Sequence, residues 1–240
     1  MFSVRDILVF LILFGANLLQ AITGFAGTLV SMPPVIKLIG ADEAKALLNA
    51  IAQISSLMIV VTGFRSINWR EFGKMFLGML AGMLLGMWIY AYFPLKILLI
   101  LYGCMILAIA IKKLFFPSTA TRVLPAWFMM CILLAAGVIH GMFVSGGALL
   151  VVYASMTIKK KEEFRATIAL LWVTLGFFIT VPEIASGGFD THVVSLLVVG
   201  IIPVFVGTWI GTLLVKKISQ EVFMKITYVL LLFSGLMAIL

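Results

Sequence analysis

Charge is scarce in this sequence. Asp, Glu, Lys and Arg make up 11% of its 240 residues, against about 25% in soluble domains. Hydrophobic residues reach 64% and the mean hydropathy is +1.26. Such a chain lacks the polar groups to cover a surface in water, so it is an integral membrane protein with most of its mass in lipid. Cysteine is almost absent. Cys104 and Cys131 lie in apolar runs with no second thiol or metal ligand at useful spacing, which excludes a disulfide framework or zinc site. Both are expected to be small buried hydrophobes. No GxSxG, HExxH, CxxC or phosphate loop occurs, and Ser145 and His140 have no third group to orient a base. Nothing points to an enzyme, a cofactor or a metal.

The net charge of +8 does not signal nucleic acid. The basic residues form short clusters between apolar runs: Arg65, Arg70 and Lys74; Lys112, Lys113 and Arg122; Lys159 to Lys161 with Arg165; Lys216, Lys217 and Lys225. That is how cytoplasmic loops look under the positive-inside rule.

Six apolar runs have the length of a membrane-spanning helix, at about 46–63, 73–93, 95–114, 164–185, 192–215 and 219–240. Two more, about 7–38 and 126–158, are too long, and glycine interrupts both midway, in "TGFAG" at 23–27 and "SGG" at 145–147. The first could pass for a signal peptide at its start. A shift of 120 residues argues that it stays in the fold. That shift lays "LQAITGFAGTLV" on "IHGMFVSGGALL", Gln20 on His140, Gly27 on Gly147 and Lys45-Ala46 on Arg165-Ala166. The expected fold is all-α, with about eight apolar segments in two homologous halves, 1–120 and 121–240. Each half is a glycine-broken segment followed by three spans, within one membrane domain.

Two topologies compete. If each broken run crosses once, Lys and Arg divide 10 to 7 between the two sides. If each re-enters as a hairpin, the halves are inverted and the division becomes 13 to 4, with the loops near 65–74, 112–122, 159–165 and 216–225 inside. The second obeys the positive-inside rule better. Duplicated transporters carry interrupted helices at matching places in both halves, and lipid tolerates non-helical backbone only where protein or a water-filled cavity covers it. Both breaks should therefore face the interior.

Mid-membrane, the apolar spans read from the sequence offer no Lys or Arg to hold an anion. The mid-membrane polar residues gather on the breaks and the span after each. The candidate binding residues are Gln20, Thr23, Gly24, Gly27, Asn49, Gln53, His140, Ser145, Gly146, Gly147 and Thr167. A helix restarting after a glycine break offers free N–H groups and its positive dipole end. Hydroxyls and amides add neutral donors, and glycine lets backbone approach a ligand. The inventory suits a small anion. Several of these residues have plainer readings. Gly137 and Gly141, and the row Gly78, Gly82 and Gly86, have the spacing of helix packing. Asn49 and Gln53 can serve as interhelical glue, and His192 is an interfacial structural histidine. His140 stands between a ligand or proton-coupling role and a satisfied core role.

These residues resemble the sulfite exporter TauE/SafE family of bacterial membrane proteins, over essentially the whole chain. Family members show a small-residue run like G-x-G-G-G followed by proline. Here "TGFAGTLVSMPP" and "GMFVSGGALLVVY" match at Gly24, Gly27 and Pro33, then at Gly141, Gly146 and Gly147. They depart at Ala26, at Ser145 and in lacking the second proline. The resemblance implies a secondary transporter in the bacterial inner membrane that moves small sulfur-containing anions such as sulfite or an organosulfonate, with export as its direction. Proton coupling and a homo-oligomer are both open to such a chain. The competing reading is a membrane assembly or scaffold protein without transport. It would more naturally carry a soluble appendage, whereas these 240 residues leave only short connectors.

Overall fold

The structure, a computed structural model, describes residues 3–115, 125–214, 217, 228–229, 232–233 and 235–239. Arg122, Lys216, Lys225 and most of the last apolar run lie outside them. The described helices run α1 (Val4–Thr23), α2 (Ala26–Ile39), α3 (Ala41–Gly63), α4 (Trp69–Tyr92), α5 (Leu95–Phe115), α6 (Ala126–Phe143), α7 (Gly147–Thr157), α8 (Lys161–Ala185) and α9 (Thr191–Leu214). No strand occurs among the described residues, and the protein is an all-α membrane protein. Seven helices are long and apolar enough to cross a membrane; α2 and α7 are shorter.

Helix ends follow local chemistry. Ser3 and Asp6 form a capping box on α1. Asn68 accepts from the Glu71 amide at the start of α4. The helices α3 and α8 begin earlier than the apolar pattern predicts, at Ala41 and Lys161. Asp42 and Glu43, and Glu162 and Glu163, lie in their first turns, where the helix dipole favours negative charge. Lys45 and Arg165 therefore belong to helices rather than connectors.

Each glycine break folds the chain back on itself. The flank of Gly27, just after the first break, faces Gln20 and Ala16 of α1, and that of Gly146 faces Ala136 and His140 of α6. So α1–α2 and α6–α7 are helical hairpins. The two enter from opposite ends of the molecule. At one end, His192 bonds to both Glu43 and Asp6, at 2.8 and 3.1 Å, joining the starts of α9, α3 and α1. At the other, the Asn68 amide donates to Thr167 at 2.9 Å and Tyr153 donates to Glu71 at 2.9 Å, joining the starts of α4 and α8 to α7. The basic clusters at 65–74 and 159–165 share this second end; Gly40, which joins α2 to α3, lies at the first.

Glycine rows bind each hairpin to a distant helix. Side chains on Gly82 and Gly86 of α4 would run into the Leu134 and Val138 carbonyls of α6, and side chains on Gly137 and Gly141 into those of Met79 and Met83. These four glycines serve packing, as their spacing suggests. A methyl on Gly207 of α9 would lie 2.6 Å from the Phe14 carbonyl oxygen of α1. The central pair is α3 and α8. Asn49 donates to the Gly176 carbonyl at 3.1 Å and to Thr180 at 2.9 Å, and Gln53 donates to Thr180 at 2.6 Å. One expectation fails: Cys104 and Cys131 are exposed on the outer faces of α5 and α6. In an apolar solvent, lipid-facing positions are as apolar as buried ones, so hydropathy alone does not separate them.

Candidate functional site at the helix breaks

The two hairpin tips meet at the middle of α8. Trp172 donates through Nε1 to the Gly24 carbonyl at 2.7 Å, and its ring packs on His140 with centroids 4.9 Å apart. A methyl on Gly147 would lie 2.9 Å from the Phe25 carbonyl oxygen. Between the tips, Gln20, Thr28, Asn49, Ala52, His140, Val144 and Trp172 line a cavity of ≈ 10 Å³, about the room of one water. Gln20, Asn49 and His140 of the expected set are thus brought together. Thr167 is not: its hydroxyl is taken by the Asn68 amide. Gln53 lies a turn beyond Asn49, its amide committed to α8.

The breaks are chemically unequal. At the first, Thr23 Oγ1 accepts from the Phe25 and Ala26 amides at 3.2 and 3.1 Å, and Gln20 Oε1 accepts from the Gly27 amide at 2.9 Å. The expectation of free amides there is corrected: the chain caps α2 with its own side chains. The second break has no such arrangement. Among the described residues no side chain accepts from the first amides of α7, whose N-cap is Gly146. Both ring nitrogens of His140 are buried without a partner among the described residues, and the buried hydroxyls of Ser145 and Tyr102 face each other, the Tyr102 ring stacking on Phe143. Buried polar groups are nearly always satisfied, and the His140 ring departs from that rule at the cavity it lines.

The flank of Gly27 faces Gln20 Cβ at 2.9 Å, and that of Gly147 faces Phe25. Their missing side chains admit protein. Gly24 takes φ +83° to end α1. At the matching place in the second hairpin stands Val144, at φ 53°. A β-branched residue there is a genuine outlier, and such strain gathers at functional sites.

Sequence reasoning missed two cations. Lys45 is buried one turn inside α3 and pairs with Glu183 at 3.4 Å, its ammonium lying 4.4 Å from the centre of the Tyr90 ring. Arg165, one turn inside α8, packs against Gly24 and donates to Thr212 at 3.0 Å. Its Nε is buried without a partner. The signal is present: the 120-residue shift superposes these two residues, although both fall at span margins, where loop charges are expected.

A protein from Comamonas testosteroni described as "Probable inner membrane transporter protein TsaS" is 26% identical over 174 residues, covering 72% of this chain and 73% of that one. No solved structure matches. The profile of the sulfite exporter TauE/SafE family matches residues 9–238, and with a match of that extent this chain belongs to the TauE/SafE family.

Proposed function

We propose that this family transporter moves a small anion across the bacterial inner membrane, with sulfite or a small organosulfonate as substrate and export as its direction. The unused ring nitrogens of His140, beside the Ser145 hydroxyl and the start of α7, carry the reading. They supply imidazole, hydroxyl and backbone donors to an anion. Gln20 and Asn49 face the same cavity from the first half.

A cavity of ≈ 10 Å³ holds no sulfite ion, so the tips must part for substrate to enter. Inverted halves supply such a movement: one hairpin opens toward one side of the membrane while the other stays shut. His140 is placed to take up a proton with the anion, each then raising the affinity for the other. The relative's name supports an inner-membrane location and transport. Flux of radiolabelled sulfite, sulfate, sulfoacetate and taurine into proteoliposomes, at several imposed pH gradients, tests the reading. Saturable sulfite or sulfonate flux is expected. Absence of flux for all four, with the protein correctly inserted, overturns it.

A further inference from the structure

Lys45 and Arg165 stand on opposite sides of the tips, each against the tip of one hairpin. Arg165 packs on Gly24 of the first tip. Lys45 lies over the Tyr90 ring, which meets Phe143 at the end of α6 edge-on with centroids 6.1 Å apart. Both share a helix face with the cavity lining, since Asn49 follows Lys45 by four residues and Trp172 follows Arg165 by seven.

Their surroundings differ in one respect. Lys45 has a carboxylate partner, Glu183, reaching across from α8. No acidic side chain pairs with Arg165 among the described residues. The 120-residue shift that lays Lys45 on Arg165 lays Glu183 on Gly63, which has no side chain to offer. Arg165 keeps a buried Nε without a partner, and Thr208, 2% exposed, has an unpartnered hydroxyl. Thr212, which accepts from Arg165, donates to the carbonyl of that same Thr208. An arginine fork with a hydroxyl one helical turn away suits a tetrahedral or pyramidal oxyanion.

We infer that Lys45 and Arg165 are the anion-recognising charges on the two sides of the site, and that the Glu183 carboxylate occupies the Lys45 side as an internal stand-in until an oxyanion substrate displaces it. The inference rests on the anion-transport reading above and adds the charges that select the substrate. Arg165 has no internal competitor in this conformation. When the Glu183 pair opens, Lys45 exchanges one anionic partner for another and is not left buried alone, which would be costly.

Binding of sulfite, sulfate and sulfoacetate to purified protein in nanodiscs tests this. Arg165→Gln should weaken binding of the preferred anion about tenfold or more, the usual weight of a charge-assisted contact, and Arg165→Lys should restore part of it. Glu183→Gln removes the competitor and should tighten binding several-fold. Lys45→Gln leaves Glu183 unpaired and is open to misfolding, so the Lys45→Gln, Glu183→Gln pair, which removes both charges, is the one to read; it should lose that tightening. If wild-type protein binds none of the three anions, both readings fail together. If it binds one and Arg165→Gln binds it as tightly, or Glu183→Gln gives no tightening, the assignment of these charges fails alone.

Discussion

Val144 ends α6 at φ 53° and ψ 27°, its amide donating to the His140 carbonyl at 2.7 Å, and its side chain lines the cavity. For an L-residue the left-handed conformation costs about 1–2 kcal/mol. Val144→Gly relieves that strain but also removes a side chain only 2% exposed, whose burial stabilises by about 1.5–3 kcal/mol. The two effects oppose, so the single variant is uninformative. Comparison with Val144→Ala separates them, because alanine loses most of the packing and keeps the strained Cβ. In the interior of a helix, glycine is less stable than alanine by roughly 0.5–1 kcal/mol. Here the order should reverse, with Val144→Gly the more stable by about 1 kcal/mol. Thermal unfolding of both in the same detergent reads the difference. If the strain belongs to the closed tips, its relief deepens the closed state. Transport by the glycine variant should then be about fivefold slower than by the alanine variant, since about 1.4 kcal/mol corresponds to tenfold in rate. An alanine variant as stable as the glycine one, or a faster glycine variant, refutes the reasoning.

Gly27→Leu and Gly147→Leu should insert into the membrane and lose transport, because the added side chains meet Gln20 and Phe25 within 3 Å of the backbone; proteoliposome flux at wild-type rates in both would remove the tips from the transport cycle. His140→Gln should keep transport at a reduced rate and lose the pH dependence that proton uptake at this ring would give; a wild-type rate and pH profile make the histidine structural. In a background lacking Cys104 and Cys131, cysteines at Arg65 and Lys160 should resist an impermeant thiol reagent in intact cells, while one at Ser186 reacts. All three positions are exposed, and reaction of Arg65→Cys without Lys160→Cys would contradict their common end.

The breaks were legible as glycine clusters in over-long apolar runs, and α9 lies within a residue of its apolar run at both ends. What each break does was not legible. Apolar length distinguishes a hairpin from a kink only through loop charges, whereas the chain reversal shows in the approach of Gly27 to Gln20. That Thr23 and Gln20 cap α2 was not legible, because side chains that cap a helix and side chains that bind an anion belong to the same polar types. Lys45 and Arg165 escaped notice because they sit one turn inside their helices, at the margin where hydropathy patterns blur. Val144 carries no mark in the sequence: a valine among valines becomes exceptional only through its backbone angles.

The glycine rows that join α4 to α6 and α1 to α9 have a consequence for biogenesis. When the ribosome delivers α1 to the membrane, its partner α9, which begins at Thr191, has not been made. At roughly 5–20 residues per second, the wait is on the order of ten seconds or more. During that time Asn17 and Gln20, each 3% exposed in the finished protein, have no α9 to cover the neighbouring face of their helix. Asn17 already spends its amide on the Leu13 carbonyl within α1, at 2.8 Å, and Gln20 reaches the Gly24 and Gly27 backbone of its own hairpin. The first hairpin thus carries its polar partners with it, which suits a segment that must reside in lipid before the rest of its fold exists.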